Sequence, residues 1–366
     1  MNILFLTTHA NTGGITSYLL TLGEALVRSG HKVVVVSGGG DNVERLERAG
    51  MRHVRFNIRT KSEAHPKLWV SLPSLVSLIR DEDIHIIHAQ TRVTQVWGAW
   101  AGRLTGVKMI TTCHGFFKPR WTRKMFPCWG QAVIAISKPV EQHLADDLGV
   151  SREKIHLIAN GIDLDRFKPV DDRERREARG KMNIAEAAVL IGIIARLSDV
   201  KGIDILIKAM PFILKEMTEA RLLIVGQGPQ EANLKKMTQD LSLRASIDFL
   251  DTIGQTRDIL AALDVFVMPS LMEGLGLSVM EAQACGIPVV ASSVGGLVDL
   301  IEDGKSGYLV TANDPRALAE RILRVLRDPL QSKMMADRAR SNIERHFSAG
   351  KMFQQTFKIY EQYSCC

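Results

Sequence analysis

The sequence has no apolar run approaching the roughly 18 residues that a bilayer-spanning helix needs, which argues against a helical integral membrane protein. Its five cysteines, Cys113, Cys128, Cys285, Cys365 and Cys366, include no C-x-x-C pair. A metal knuckle or disulfide framework is therefore disfavoured, and a reducing cytoplasm suits the chain best. The Cys365–Cys366 pair could be lipidated or close a vicinal disulfide, but a frayed, inert tail is the better reading. The opening MNILFLTTHA lacks a basic leader and a small-residue cleavage site, so it is expected to be a strand and not an export signal.

Several nucleotide and nucleophile signatures are also missing. GQGPQE carries Glu231 where a dinucleotide fingerprint needs Gly or Ala, and GGGDNV fails the same test at Val43. GKS at 304–306 would need an earlier glycine at Asp299 to be a P-loop. No G-x-S-x-G elbow occurs, and no Asp-x-Asp pair directly follows one of the apolar runs.

What is present begins with a charge asymmetry. Residues 1–130 hold 17 Lys and Arg against 8 Asp and Glu, whereas residues 131–366 hold 30 against 32. The basic half suits an anionic surface or ligand. No helix-turn-helix, RNP or finger signature accompanies it, so nucleic acid is not the expected partner.

Short apolar runs alternate with helix-length amphipathic segments. NILFLTT (2–8), KVVVVSG (32–38), IHIIHA (84–89), KMITTC (108–113) and AVIAIS (132–137) form one series. AVLIGIIA (188–195), RLLIVG (221–226), SIDFL (246–250), DVFVMPS (264–270) and IPVVASS (287–293) form a second. Near-continuous Val, Ile and Leu marks strands covered on both faces, and strand–helix alternation means parallel sheets with right-handed crossovers. The charged stretch 165–182 reads as a linker followed by a frayed helix, with the boundary near residue 170. Past residue 313 the pattern is helical. Met352, Phe353, Phe357 and Tyr360 recur at helical spacing near the end and are expected to pack.

Taken in order, NTGGITSYLLTLGEAL, NGIDLDRFKP, ARLSDVKGIDILIKAM, VGQGP and PSLMEGLGLSVMEAQACGIPVVAS resemble the family-four retaining glycosyltransferases, the group 1 glycosyl transferases of GT-B fold. The resemblance covers nearly the whole chain. It implies two doubly wound Rossmann-like domains facing a cleft. Residues 1–169 would form an acceptor-side domain and 170–347 a donor-binding domain, with a helix over 348–366 packing back on the first.

The resemblance also implies roles. Arg196 and Lys201 would hold the diphosphate of a nucleotide sugar, where cations offset the charge that grows on the leaving group. Glu273 would face hydroxyls of the transferred sugar, and His114 the sugar and reaction centre. Glu281 would accept from the ribose; its two oxygens can take both hydroxyls. Gly274, Leu275, Gly276 and Leu277 would offer backbone N–H groups at a helix start. Gly13, Gly14, Gly226, Gly228 and Leu250 complete the donor contacts.

Plainer readings compete at some of these positions. Arg196 and Lys201 could be a surface pair near Asp199 and Asp204, and Ser278 with Glu281 has capping-box spacing. Asn160 and Gly161 suit a structural turn, and His9 and His88 sit at strand ends as lesser candidates. No cofactor beyond the nucleotide sugar and no metal is implied, with UDP expected before GDP.

Phe116, Phe117, Trp121 and Trp129 mix with Arg120, Arg123 and Lys124 in HGFFKPRWTRKMFPCWG, and RTKSEAHPKLWVSL (59–72) repeats the theme. Aromatic and basic residues together suit a membrane interface or an acceptor loop. A peripheral enzyme acting on a glycan or lipid-linked acceptor is the leading reading. A sugar-nucleotide 2-epimerase on the same fold and a non-catalytic nucleotide-sugar-binding protein remain as alternatives.

Overall fold

A strand buried on both faces must find helices on both, and each apolar series does so in the computed structural model, which describes residues 1–60, 62–119, 123, 126–251 and 256–364. The chain divides into two compact units. The first is Met1–Gly161 rejoined by Ala349–Cys366, and the second is Ile162–Ser348.

The first unit runs β1 (Asn2–Leu6), α1 (Gly14–Arg28), β2 (Lys32–Ser37), α2 (Val43–Arg48), β3 (Arg52–Arg55) and α3 (Pro66–Asp81). It continues through β4 (Ile86–Ala89), α4 (Arg92–Thr105), β5 (Lys108–Cys113), β6 (Ala132–Ala135), α5 (Lys138–Gln142) and β7 (Ile155–Leu157). The second unit holds α6 (Asp172–Lys181), β8 (Leu190–Ile194), α7 (Ile203–Leu214), β9 (Arg221–Val225), α8 (Glu231–Asp240), β10 (Ile247–Leu250) and α9 (Thr256–Ala262). Then come β11 (Val265–Met268), α10 (Leu277–Ala284), β12 (Val289–Ser292), α11 (Leu297–Leu300), β13 (Tyr308–Val310), α12 (Pro315–Arg327) and α13 (Pro329–His346). Helix α14 (Ala349–Ser364) belongs to the first unit.

Strand order is β3-β2-β1-β4-β5-β6-β7 in one sheet and β10-β9-β8-β11-β12-β13 in the other. Neighbouring strands within each sheet run parallel. Both sheets are therefore doubly wound, with the order reversing between β1 and β4 and between β8 and β11. Alternate residues of β1 show why its run is apolar throughout. Ile3 and Phe5 pack in the cluster that holds Leu19 and Leu22 of α1 and Met352 and Tyr360 of α14. Leu4 and Leu6 pack in the opposite cluster, with Leu75 of α3 and Trp97 of α4.

The short strands β3, β7 and β13 lie outside the apolar series read from the sequence. Two of them, β3 and β7, are edge strands of their sheet, as is β13 of the other. An edge strand needs less apolar surface, and Arg52–Arg55 is only part-buried.

The charged stretch 165–182 corrects the reading of a frayed helix. Asp171 and Glu174 form a capping box at the start of α6. Arg179 is only 2% exposed. Its guanidinium donates to the carbonyls of Ala262 (3.0 Å), Glu186 (2.6 Å) and Ala188 (2.9 Å) and pairs with Asp264 at 2.7 Å. Arg175 reaches the other oxygen of Asp264 at 2.5 Å, and Arg257 forks onto Glu174 at 2.7 and 2.8 Å. The charges anchor the helix to the domain. Replacing Arg179 by Met leaves Asp264 to Arg175 and the Leu190 amide and strands three carbonyls, and about 3 kcal/mol of unfolding free energy should be lost. Arg179→Lys, lacking the planar fork, should recover less than half. Urea unfolding checks both; an unchanged midpoint in Arg179→Met contradicts the anchor.

Candidate functional site

In doubly wound sheets, ligand-bearing loops follow the strand ends where the order reverses. In the second unit those are the loops after β8 and β11, and their side chains meet. Lys201, closing the loop after β8, donates to Glu273 Oε2 at 2.5 Å, and Ser270 Oγ donates to the same oxygen at 3.2 Å. Lys201 is 22% exposed and Glu273 12%. The backbones also dock: the Leu271 amide donates to the Val200 carbonyl at 2.8 Å. The surface-pair reading fails for Lys201, since Asp204 is held by Lys208 at 2.8 Å. Arg196 on the same loop is exposed.

Helix α10 follows Glu273 directly. It takes Gly276 (φ 102°) as its N-cap and has no side-chain cap. Ser278 thus lies inside the first turn, and the expected Ser278–Glu281 capping box does not form. Gly274 and Leu277 are half-buried at this helix start, whereas Leu275 and Gly276 are buried. Glu281 is half-buried one turn further on.

Gly226 and Gly228 have a packing reason to be glycine. A Cβ on Gly226 would lie 2.0 Å from the Ala195 carbonyl oxygen, and one on Gly228 would lie 2.2 Å from that of Leu197. The amide of Leu197 donates to the Gln227 carbonyl at 3.0 Å, and the Gly226 amide to that of Leu250 at 3.0 Å. The loop after β9 therefore lies flat against the loop that carries Arg196.

In the first unit the corresponding loops follow β1 and β4, with β5 beside them. Gly13 caps α1 without a side-chain bond and, like Gly14, is exposed. Asp41 steadies this loop: the Thr12 amide donates to one oxygen at 2.7 Å and the Thr12 hydroxyl to the other at 2.9 Å. Partial burial would raise the Asp41 pKa, but those bonds outweigh it and hold the carboxyl below its ordinary value. Sequence reading tested GGGDNV only for glycines and missed Asp41.

His114, at the end of β5, is half-buried. Its Nε2 lies 2.8 Å from Gln90 Oε1, and its ring meets Tyr18 edge-on at 5.0 Å. Burial pushes its pKa down to about 3. Gln90 was missed because no motif marks it; its place at the end of β4, beside the reversal, is the signal. His88 is structural: Nδ1 sits 2.7 Å from the Tyr360 hydroxyl and Nε2 2.7 Å from Thr112 Oγ1. His9 is exposed, and Asn160 and Gly161 are buried.

The aromatic stretch is corrected in part. Trp129 is only 9% exposed and Arg123 lies over its ring at 5.9 Å, so it is not a surface anchor. Phe116 packs edge-on against His143, and Phe117 lies under Arg123 at 4.7 Å. Arg120, Trp121, Lys124, Cys365 and Cys366 lie outside the described residues. The exposed apolar side chains nearby are Phe126, Trp69, Val70 and Leu104. Among the described residues no helix is long and apolar enough to cross a membrane, and no group of three or more His, Cys, Asp or Glu could hold a metal.

Residues 12–166 match the model for Glycosyltransferase Family 4 and residues 174–342 that for Glycosyl transferases group 1. A GDP-mannose-dependent alpha-(1-6)-phosphatidylinositol monomannoside mannosyltransferase of Mycolicibacterium smegmatis is 30% identical over 354 residues, covering 88% of each chain. A UDP-Gal:alpha-D-GlcNAc-diphosphoundecaprenol alpha-1,3-galactosyltransferase of Escherichia coli is 27% identical, covering 79% of this chain and 78% of its own. The structure of Anabaena Alr3699/HepE in complex with UDP-glucose superposes with a TM-score of 0.88 at 23% identity, covering 99% of this chain and 100% of the other. That likeness shows a shared fold.

His88 supplies a pH test. Burial, helped by neighbouring His114, pushes its pKa down to about 3. The unfolded imidazole takes a proton near pH 6.5 while the folded one stays neutral. Stability is thus full above pH 6.5 and falls as the pH drops toward 3. Between pH 6 and 4, wild-type unfolding free energy should fall about 1.4 kcal/mol per pH unit more steeply than that of His88→Gln. Equal slopes in urea titrations contradict this.

Proposed function

This chain belongs to the group 1, family-four glycosyltransferases of GT-B fold, and we propose that it moves a hexose from a nucleotide-diphosphate sugar to a glycan or lipid-borne acceptor. The observation that carries the reading is the Lys201–Glu273 pair across the order reversal of the second sheet, beside the uncapped start of α10. A cation, a carboxylate and the amide dipoles of a helix start then share one strand-end corner, which suits a sugar linked to a diphosphate.

In this reading Arg196 and Lys201 neutralise the diphosphate as it leaves, and the Gly274–Leu277 amides add partial positive charge. Glu273 orients the sugar through its hydroxyls and Glu281 takes the ribose. Its pairing with Glu273 keeps Lys201 extended toward the site before the donor arrives. We assign retention of configuration by a same-face reaction. The bond from the anomeric carbon to the phosphate oxygen breaks, the acceptor oxygen bonds to that carbon on the same face, and its proton passes to the departing phosphate. No general base and no metal enter this scheme; positioning and charge stabilisation do the work. The donor base is set as UDP ahead of GDP, both of which occur among the relatives' donors.

A lipid-borne acceptor at the cytoplasmic face of the membrane suits the acceptors that the relatives are named for. It also suits the exposed Trp69, which meets Trp100 edge-on at 5.7 Å, with Arg103 over the Trp100 ring at 5.3 Å. An aromatic body beside a cation fits an anionic headgroup region.

Thermal-shift titration with UDP, GDP and ADP, then with UDP-glucose and GDP-mannose, tests the donor. One nucleotide should stabilise the chain, and Lys201→Ala should abolish that shift and lower turnover about 10²- to 10³-fold while remaining folded. Stabilisation of Lys201→Ala equal to wild type sinks the reading. Formation of an epimer from donor alone would favour the epimerase instead. Flotation with anionic vesicles at low salt tests the membrane assignment, and absence of binding removes it.

A further inference from the structure

Gln90 belongs to the first unit, and no sequence motif contains it. It is 2% exposed, and its backbone amide donates to the Leu6 carbonyl at 2.9 Å, tying the end of β4 to the end of β1. The side-chain amide has a defined orientation. Its Nε2 faces the His88 carbonyl at 3.4 Å, which can only accept. Oε1 is therefore the atom turned to His114 Nε2, 2.8 Å away. A carboxamide oxygen has no proton to give, so the proton in this bond belongs to the imidazole.

We propose that Gln90 is a positioning residue that holds His114 as the neutral Nε2–H tautomer and so presents Nδ1 as a lone-pair acceptor for a ligand hydroxyl. This rests on the reading of His114 as a site residue of a glycosyltransferase. Imidazolium or the opposite tautomer would offer Nδ1–H, a donor, and a hydroxyl would have to reverse its role. The surroundings favour the neutral ring. Tyr18 of α1 presents its edge, His88 of β4 is itself neutral, and Thr112 and Cys113 precede His114 on β5. Arg123, which lowers the Cys113 pKa against the larger effect of burial, lies near this end of β5 and would oppose a second positive charge. Burial lowers the His114 pKa to about 3, so the ring stays neutral across the working range.

The tautomer is readable without any substrate. In ¹⁵N-labelled full-length protein, long-range ¹H–¹⁵N spectra, assigned through His114→Gln, should show a pyrrole-like Nε2 and a pyridine-like Nδ1 from pH 5.5 to 8.5. Gln90→Glu places a carboxylate against Nε2 and should bring His114 into visible titration. In the same variant, release of UDP from UDP-glucose, or of GDP from GDP-mannose, should fall about tenfold on the acid side of that titration and recover on the alkaline side. Gln90→Leu should lose about tenfold at every pH without the new pH dependence. A protonated Nδ1 in the wild type overturns the proposal, as does a Gln90→Glu pH profile parallel to wild type in a folded protein. A wild type that shows the expected tautomer but is stabilised by none of UDP, GDP and ADP would instead count against the glycosyltransferase reading alone.

Discussion

Parallel pairing is the constraint on which the rest depends. Because every ladder among the described residues of both sheets is parallel, all strands of a sheet end on one edge, and the returns are made by crossovers. The loops that leave those ends are crowded together whether or not they are near in sequence. Lys201 and Glu273 meet at 2.5 Å although 72 positions separate them. Gln90 and His114 meet at 2.8 Å for the same reason. In both units the meeting point is next to the strand-order reversal, where two neighbouring crossovers leave on opposite faces and a gap opens.

Charge is handled differently in the two units. The second keeps charged groups at its site and balances them: Lys201 against Glu273, both mostly covered. It uses the same device structurally, with Arg175 and Arg179 sharing Asp264. Such pairs resist removal of one member more than removal of both, because the orphaned charge stays buried. The first unit keeps its buried imidazoles neutral. His88 is satisfied by two hydroxyls, from Tyr360 and Thr112, and His114 by one carboxamide oxygen. Tyr360 comes from α14, so the last helix of the chain completes the polar interior of the first unit as well as its apolar core.

Close backbone approach explains glycines that a motif search assigns to ligands. Gly226 and Gly228 lie where the loop after β9 presses on Ala195 and Leu197. A ligand role for them is additional to that packing. The aromatic stretch 114–130 shows the opposite error: Trp129, which read as part of a presented surface, is turned inward. Composition counts side chains but does not say which way they face.

The sequence by itself determined the two strand series, the parallel doubly wound class, the closing helix and the family resemblance, because burial on both faces and loop motifs are local patterns written along the chain. It also named Lys201 and Glu273. It did not mark β3, β7 and β13, runs of only three or four residues, nor the anchoring of α6, since a charged run looks the same solvated or paired. Only the tertiary structure decided that Lys201 turns to Glu273 and not to Asp204, that Gly276 and not Ser278 is the N-cap of α10, and that Gln90 faces His114. Each depends on which loops a parallel sheet gathers at one edge, a matter of strand order that no local stretch of sequence contains.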